Sequence, residues 1–494
     1  MRRFNRRDFL RISSSASALL AAAAVDGSLF AQDKPKDKPA PKKKADPNSL
    51  LKVAVIGVHG RGMSHVGGFL KNPYTTVTTI CDCDTAVISA AMKACESANG
   101  VPAKFEQDIR KVVEDKNIDI ISIATPNHWH ALAAIWAMQN GKDVYVEKPV
   151  SHNVHEGRVI VETARKAGKI CQAGTQSRSA TGMRQCMDYL HSGKLGKISV
   201  SRGLCYKPRG SIGKVDGPQQ PPSTMDYDLW CGPAPYKLPH RKTKFGTVHY
   251  DWHWIWDYGN GDLGNQGIHE MDKARWGLGK GTLPKSVISV GGRFGYIDDG
   301  ETANTQICVF DYGDSELIFE VRGLDTKDLK GAKVGNIYYG DKGIMVCPSY
   351  SGGIVYDLDG KVVQKFSGGG DQTHFDNFVE AVRARKPEML NGHILEGHLS
   401  SALCHLGNIS YRLGTLVPFS KQSLRFGDDK ESAETFVRMV DHLKDNKEPL
   451  DQTEYRLGRK LTIEPKTESF VSDKEADAML FREYRKGFEV PDKV

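Results

Sequence analysis

Clustered cysteines, long apolar runs and internal repeats are all missing from this sequence. The ten cysteines are scattered, and only Cys81 and Cys83 lie close together, without a CxxC pair or a ladder of Cys and His ligands. A zinc site and a disulfide framework are therefore not indicated. No repeat of solenoid or propeller period is visible. About 440 residues follow position 50, which is enough for two domains with substantial cores.

The N-terminal segment has the features of an export signal. Residues 5–11 read NRRDFLR, and a stretch rich in Ser, Ala and Leu follows from Ile12 to Val25. Twin arginines ahead of a moderately apolar stretch predict a twin-arginine signal over residues 1–31. The stretch is too short and too rich in serine for a membrane span, so none is expected after cleavage. We expect a periplasmic or otherwise exported protein.

Residues 32–50 are rich in Lys and Pro and almost free of apolar side chains, so they predict an extended linker. The signal and the linker together supply six of the formal +8 charges, which leaves about +2 on the folded body. The basic balance therefore says little about the folded surface, and it gives no indication of nucleic-acid binding.

A strand, a glycine-rich turn and a helix open the first predicted domain. The β-branched run of residues 51–56 stops at Gly57, and a helical segment follows from Met63. Glycines in this context let the backbone approach the pyrophosphate of a dinucleotide at the N-terminus of a helix. The turn departs from G-x-G-x-x-G because His59 occupies the middle glycine position. The residues that we expect to contact the dinucleotide here are Gly57, His59, Gly60, Arg61 and Gly62.

Asp82 ends the second predicted strand and lies about 25 residues after Gly57. An acidic residue at this distance accepts hydrogen bonds from the hydroxyls of the adenine ribose. No Arg or Lys directly follows it to receive a 2′-phosphate, so NAD is favoured over NADP. The alternative is a carboxylate that serves only the turn.

Strands alternate with helices over roughly 120 residues, which is typical of a doubly wound parallel sheet. Ligands of such sheets bind at the carboxyl ends of the strands. Two polar segments fall there, residues 125–130 (TPNHWH) and residues 147–149 (EKP). A buried lysine readily changes its pKa and can act as an acid or a base. The alternative for Lys148, taken alone, is a surface charge at a strand end.

The order and spacing of these motifs resemble the glucose–fructose oxidoreductase / inositol dehydrogenase / MocA (Gfo/Idh/MocA) family. The likeness continues through residues 174–176, 267–272, 374–378 and 396–398, and so covers nearly the whole chain after residue 50. It implies an α/β fold with an N-terminal Rossmann domain, a doubly wound parallel sheet, at residues 51–172. A C-terminal substrate-binding α/β domain with a large, mostly antiparallel open sheet is implied at 173–420. Charged segments and turns containing Pro and Gly predict a C-terminal arm at 421–494.

The resemblance implies hydride transfer at a sugar or cyclitol carbon, with Lys148 polarising the oxygen that is oxidised. His269 would bind the reacting hydroxyl and can act as general base. The nicotinamide side of the cofactor would be contacted by Thr125, Pro126, Asn127, His130, Glu147 and Lys148. The alternative for His130 is a core histidine that faces its own helix.

One position departs from the family pattern. Four residues before His269 the sugar dehydrogenases usually carry an aspartate that takes part in proton transfer, and this sequence has Asn265. An asparagine orients a hydroxyl but cannot titrate, and positioned acid–base groups contribute about 10²–10⁴-fold. The proton path then relies on Lys148 and His269 alone, or Asp262 or Asp257 substitutes for the missing carboxylate.

Residues 250–258 hold three of the seven tryptophans within five positions. Aromatic faces stack on the apolar faces of sugar rings, although ordinary core packing is the alternative for any one ring. Asp272, three residues after His269, is expected to be a structural partner and not a catalyst. The substrate-binding candidates are Gln176, Arg178, Trp254, Asn265 and His269.

Three functions fit this sequence. The first is an NAD(P)-dependent oxidoreductase of a carbohydrate or cyclitol, with NAD tightly bound and recycled in place because free NAD is scarce outside the cytoplasm. The second is an NAD-dependent glycosidase or lyase that oxidises the sugar transiently and eliminates its substituent. The third is a non-catalytic sugar-binding protein that keeps NAD as structure. Exposed sheets of this family commonly pair, so a homodimer or homotetramer is expected.

Overall fold

The computed structural model of the chain describes residue 46 and residues 49–419 and 429–493. The predicted export signal at 1–31 and most of the predicted linker at 32–50 lie outside the described residues. No helix within these described ranges has both the length and the apolar character needed to cross a membrane.

The first domain is built on six parallel strands. They are β1 (Leu51–Ile56), β2 (Thr75–Cys81), β3 (Lys104–Glu106), β4 (Ile120–Ile123), β5 (Asp143–Val146) and β6 (Cys171–Ala173). Their order across the sheet is β3-β2-β1-β4-β5-β6. The accompanying helices are α1 (Arg61–Lys71), α2 (Ser89–Asn99), α3 (Ile109–Glu114), α4 (Asn127–Gln139) and α5 (Val154–Ala167).

Helices cover both faces of this sheet, which explains why its strands are continuous runs of Val and Ile. Along β1, Val53 and Val55 pack into the core that contains α1 and α2. Ala54 and Ile56 point to the opposite face, into the core that contains α4 and α5. Because both faces of the sheet are buried, polar side chains of this domain are expected at the ends of the strands.

The second domain carries a larger sheet. After α6 (Thr181–His191) come β7 (Ile198–Tyr206), α7 (Tyr227–Cys231), α8 (Gly261–Gly264), α9 (Gly267–Gly277), β8 (Ser286–Gly292), β9 (Thr305–Asp311), β10 (Glu316–Arg322), β11 (Val334–Gly340), β12 (Gly343–Cys347), β13 (Gly352–Asp357), β14 (Val362–Ser367), α10 (Asp371–Ala384), α11 (Ile394–Arg412) and β15 (Thr415–Pro418). The rest are α12 (Lys430–Asp445), β16 (Glu454–Leu457), β17 (Leu461–Glu464), β18 (Ser469–Phe470) and α13 (Lys474–Ala478).

The strands of this sheet run in the order β14-β13-β12-β11-β7-β10-β9-β8-β16-β15, and β17 also pairs with β8. Neighbours along that order are antiparallel except β7 and β10, which are parallel. A parallel first sheet followed by a large, mostly antiparallel second sheet confirms the predicted fold class.

Two helix layers cover the second sheet. On one face, Met271 of α9 and Leu403 of α11 share a core with Phe319 of β10, and α11 also packs against α5 of the first domain. On the other face, Met439 and Leu443 of α12 pack over β8, β9 and β10. Through α11 the first domain is held against the second.

Candidate functional site

A cavity of about 470 Å³ lies at the carboxyl ends of the strands of the first sheet. Its wall brings together nearly all of the predicted cofactor-binding residues, namely Gly57, His59, Gly60, Arg61, Asp82, Thr125, Pro126, Asn127, His130, Glu147 and Lys148. Asn265, from the second domain, lines the same cavity. Parallel strands end at one edge of a sheet, which is why residues so far apart in sequence meet here.

The glycine turn after β1 is shaped by close backbone contacts. Gly57 has φ +79°, and a Cβ at that position would lie 2.8 Å from the carbonyl oxygen of Ala124. Gly62 is hidden beneath the turn, and its Cβ would lie 1.8 Å from the carbonyl oxygen of Gly57. The turn thereby leaves the N-terminus of α1 facing the cavity, where backbone N–H groups can bind an anionic pyrophosphate.

Asp82 is almost fully buried, and both of its carboxylate oxygens are used by the backbone. Val58 N donates to Oδ2 at 2.8 Å and Asp84 N donates to Oδ1 at 3.0 Å. Burial raises the pKa of this carboxyl. Asp82 therefore fixes the turns after β1 and β2 while lining the cavity, and each oxygen keeps a lone pair for a ribose hydroxyl.

The segment after β4 offers polar atoms that lack partners. Within the described part of the chain, Thr125 Oγ1 and Asn127 Oδ1 are buried and form no hydrogen bond. His130 contacts the carbonyl of Pro149 through Nδ1 at 2.6 Å and that of Thr125 through Nε2 at 2.8 Å. Burial lowers the pKa of His130. His130 thus ties the two cofactor-facing loops together, and the free atoms beside it fit a polar ligand such as a nicotinamide ribose.

Glu147 forms a buried ion-pair network at the end of β5. It accepts from Arg61 Nε at 2.8 Å and contacts His65 Nε2 at 3.1 Å. Burial alone would raise the pKa of this carboxyl, but Arg61 and His65 hold it well below its ordinary value. His65 was missed by the sequence analysis, although its spacing of four from Arg61 puts both on one face of α1.

Lys148 lies in the wall of the cavity, and the Lys148–Pro149 peptide bond is cis. Its Nζ donates to the backbone carbonyl of Asn265 at 3.0 Å. Burial lowers the pKa of this amine. Asn265 Nδ2 is 3.5 Å from Asp262 Oδ1, and Arg209 holds the Asp262 carboxylate with two hydrogen bonds of 2.7 Å.

Neither aspartate suggested as a substitute for the missing carboxylate lines the cavity. Asp262 is buried in its ion pair with Arg209. Asp257 is paired with Lys237 at 2.7 Å near the surface. Neither of these two aspartates is therefore placed to replace the missing carboxylate.

His269 lies on α9, just behind the cavity wall. Its ring centroid is 4.9 Å from that of Tyr350, and its Nδ1 has no hydrogen-bond partner among residues 49–419 and 429–493. Burial and the nearby Lys148 keep the pKa of this imidazole well below its ordinary value. The ring is thus kept neutral, and its Nδ1 is left unpaired within the described part of the chain.

Three predicted substrate-binding residues face elsewhere than this cavity. Gln176 stands against Arg61, with 3.0 Å between its amide oxygen and Nη2. Arg178 is buried in an ion pair of 2.8–3.0 Å with Asp272, the residue expected to be a structural partner. Trp254 is buried beneath the Arg209 guanidinium, 5.3 Å from its ring centre. The sequence predicted that all three would line the substrate cleft. In the structure their side chains pack against other residues and do not line the cavity.

The second domain supplies a cover for the cavity that the sequence analysis did not foresee. We call residues 224–253 the covering segment, and its cavity-lining members are Leu229, Trp230, Phe245, His249, Tyr250, Trp252 and His253. His249 Nε2 lies 2.8 Å from Asp84 Oδ2, and Thr224 Oγ1 donates to Asp84 Oδ1 at 2.7 Å. The His59 and His249 rings meet edge to face at 4.3 Å. The aromatic run at 250–258 was the available signal, but it pointed to Trp254 instead of Trp252.

A metal centre is not apparent in the part of the chain that the structure covers, where no three His, Cys, Asp or Glu side chains are grouped to hold an ion. The cavity instead combines a pyrophosphate-sized glycine turn, unpartnered polar atoms and a lysine. These features suit a dinucleotide cofactor.

Curated proteins with similar sequences match only part of the chain. A glycosyl hydrolase family 109 protein of Saccharopolyspora erythraea is 30% identical over 208 residues, covering 40% of this chain and 45% of that protein. A glycosyl hydrolase family 109 protein of Shewanella baltica strain OS185 is 32% identical over 184 residues, covering 35% and 39%. The matched regions of this chain thus span less than half the length of these relatives.

Solved structures share the fold at low sequence identity. The WlbA dehydrogenase of Bordetella pertussis, solved with NADH and UDP-GlcNAcA, superposes with a TM-score of 0.55 and 18% identity, covering 74% of this chain and 97% of that one. Levoglucosan dehydrogenase, solved with NADH and levoglucosan, gives a TM-score of 0.54 and 15% identity, covering 73% and 97%.

Family profiles match most of the chain. The oxidoreductase family described as an NAD-binding Rossmann fold (GFO_IDH_MocA) matches residues 51–175. The C-terminal alpha/beta domain of the same oxidoreductase family matches residues 193–444. Together with the two-sheet fold and the cavity between them, these matches show that the chain belongs to the Gfo/Idh/MocA oxidoreductase family.

Proposed function

We propose that the protein is an oxidoreductase of a carbohydrate or cyclitol that retains NAD in its cavity throughout the catalytic cycle. The observation that carries this proposal is the covered cavity, in which the glycine turn, Asp82 and Lys148 share one wall with residues of the covering segment. A cofactor lying there would contact both domains, and we expect the covering segment to slow its exchange.

The chain's own residues fit NAD better than NADP. The carboxylate of Asp82 follows β2 in the cavity wall where the adenine ribose would lie, and it would repel a 2′-phosphate. The polar atoms Thr125 Oγ1 and Asn127 Oδ1, which are buried without partners across the described residues, would meet the nicotinamide half. When bound, NAD supplies the hydride acceptor.

Lys148 and His269 would handle the substrate proton. The lowered pKa of Lys148 increases the fraction of neutral amine that can accept the proton of the hydroxyl being oxidised. The carbonyl of Asn265 orients that amine through the 3.0 Å hydrogen bond. The neutral His269, whose Nδ1 has no partner among the described residues, would hold the same hydroxyl.

A second candidate is an NAD-dependent glycosidase that oxidises a sugar transiently and eliminates its substituent. Two observations favour it. The similar curated proteins are named glycosyl hydrolase family 109, and Asn265 removes the titratable group expected of a dehydrogenase. Such a reaction returns the hydride to the sugar, which also suits a cofactor that stays enclosed.

Two measurements test these candidates. The purified full-length protein is denatured, and released dinucleotide is identified by absorbance and mass. The native protein is then incubated with sugars, cyclitols and aryl glycosides. Acceptor-dependent formation of oxidised sugar supports the oxidoreductase, and aglycone release without net NADH supports the glycosidase. If neither reaction occurs and no dinucleotide is released, the proposed function is wrong.

A further inference from the structure

A second cavity of about 280 Å³ lies behind the segment that lines the cofactor cavity. Trp252 and His253 face the cofactor cavity, whereas Trp256 and Asn260, a few residues later, line the second one. Its other walls come from the end of α11 and from the tail after α13. Those walls include Arg412, Phe481 and Arg482.

Two residues that line this second cavity carry buried hydrogen-bond donors without partners in the described residues. Arg482 Nη1 contacts His152 Nδ1 at 3.2 Å and donates to the carbonyl of Asp257 at 3.1 Å. Arg482 Nε is buried, and no partner for it occurs in the described ranges. The same holds for Nδ2 of the buried Asn260, whose Oδ1 lies 3.2 Å from His405 Nδ1. Both nitrogens are donors only, so the group that completes the site must be an acceptor.

The charges around the cavity also favour an acceptor that carries negative charge. Arg412 stacks over Trp256, with 5.0 Å between the guanidinium carbon and the ring centre. Of the carboxylates that the structure describes, none lies within ion-pair distance of Arg412 or Arg482. Asp257 also lines the cavity, but Lys237 at 2.7 Å compensates its charge. Glu301 and Asp257 act on Arg412, and Glu156 on Arg482, only from beyond ion-pair distance, so neither guanidinium group is directly paired with a carboxylate of the described residues.

We propose that this cavity binds a small molecule through a carboxylate, sulfate or phosphate group. Arginine pairs with such oxyanions in charge-assisted, often bidentate hydrogen bonds. Trp256 and Phe481 provide apolar contact for the body of the molecule, as in a uronic acid or a sulfated sugar. The site is separated from Lys148 by the segment 251–262, so its occupant is distinct from the molecule that is oxidised. The proposal does not depend on the reaction proposed above.

Calorimetric titration of the full-length protein tests this site. The probes are inorganic sulfate, inorganic phosphate, glucuronate, a sugar sulfate and, as a neutral match, glucose. We expect saturable binding of the anionic probes and no binding of glucose at the same cavity. Arg412→Gln removes a charged donor and should weaken binding about tenfold. Asn260→Asp keeps the side-chain shape but replaces the donor by a negative charge, and should abolish binding.

A matched control is available in Arg383, an exposed arginine that stacks over Tyr74 at 3.6 Å. It likewise has no ion pair with any carboxylate in the described residues, so Arg383→Gln should leave the affinity unchanged. Far-UV circular dichroism and melting temperature confirm that each variant is folded. Selective binding of the sugar acids identifies a sugar substituent as the ligand, and equal binding of inorganic ions identifies a free anion. The proposal is overturned if no anionic probe binds, or if Arg412→Gln and Asn260→Asp bind as well as the wild type.

Discussion

Lys148 Nζ lies 3.0 Å from the backbone carbonyl oxygen of Asn265. This hydrogen bond joins the end of the first sheet to the second domain, and it uses the main chain of residue 265. The asparagine that replaces the family's aspartate therefore leaves the orientation of the lysine intact. The asparagine does remove a titratable side chain from this position. Its Nδ2 lies 3.5 Å from Asp262 Oδ1.

Lys148→Met should reduce turnover by at least about 10²-fold, because it removes the amine that accepts the substrate proton. Bound dinucleotide should remain, since the glycine turn is untouched. Steady-state kinetics and the dinucleotide content of the purified variant check both expectations. Lys142→Met is the matched control. Lys142 is also buried and donates to backbone carbonyls, at 2.7 and 2.8 Å, but lies outside the cavity. It should lower the free energy of unfolding without changing kcat, and an equal loss of kcat in both variants would contradict the role of Lys148.

Asn265→Asp should preserve the contact to Lys148 and add a titratable carboxyl at the position where the sugar dehydrogenases usually carry one. We expect net sugar oxidation to rise by up to about 10²-fold and the pH profile of kcat/KM to gain an ionisation. The nearby Asp262 disfavours the new charge, which should shift that ionisation upward. Asn265→Ala, which retains the same main-chain carbonyl, serves as the control. Identical pH profiles for the two variants would show that residue 265 takes no part in proton transfer.

Gly62→Ala should abolish dinucleotide retention and lower the free energy of unfolding by at least about 1 kcal/mol, because the added methyl overpacks the turn. Its Cβ would lie 1.8 Å from the carbonyl oxygen of Gly57. Gly67 lies on the same helix, and nothing is within 4 Å of its Cβ position. Gly67→Ala should instead raise the free energy of unfolding by up to about 1 kcal/mol, because alanine favours the helix. Urea unfolding and dinucleotide content measure both effects, and retention in Gly62→Ala would rule out the turn as the binding element.

His249→Ala should speed the exchange of bound dinucleotide, because it removes the 2.8 Å contact between the covering segment and Asp84. Exchange is followed by chasing labelled NAD from the purified protein. His240→Ala, an exposed position in the same segment, should exchange at the wild-type rate. If both variants exchange like the wild type, the segment does not retain the cofactor.

His405 should make the protein less stable in acid. Burial lowers the pKa of His405 to about 3, whereas in the unfolded chain it is near its ordinary value of about 6.5. Between these values only the unfolded state binds the proton, so the stability contributed by neutral His405 is lost as the pH falls.

The comparison of wild type with His405→Gln isolates this effect. Buried carboxyls with raised pKa values, such as Glu270 at about 7, act in the opposite direction, but they are present in both proteins and cancel. The difference in free energy of unfolding should fall by about 2 kcal/mol between about pH 6.5 and about pH 5. Urea unfolding at these pH values provides the measurement, and the exposed His240→Gln should show no such change. A pH-independent difference for His405→Gln would contradict the lowered pKa.

That the expected cofactor-binding residues meet around one cavity was predictable, because it depends on local sequence. A glycine turn after a β-branched strand, an acidic end to the next strand and two polar strand ends are short-range patterns. In a parallel sheet they have to meet at one edge. Lys148, Asp82 and Thr125 accordingly lie around one cavity.

The substrate half depended on packing that no short pattern encodes. Arg178 was assigned to the cleft from its position and Trp254 from the aromatic run, yet Arg178 pairs with Asp272 and Trp254 packs under Arg209. The covering segment could not be predicted from the sequence either, because its contacts with Asp84 join residues that are about 140 to 165 positions apart.

By itself the sequence determined the family, the two-domain α/β organisation and the choice of Lys148 as the candidate acid–base residue. Each of these follows from the spacing of motifs along strands and turns. Only the tertiary structure decided that Asn265 orients this lysine through its main chain and that the cofactor cavity is covered by the second domain. Those features arise from contacts between segments that are distant in sequence. The geometry of these contacts depends on how α11 and the large sheet hold the two domains together.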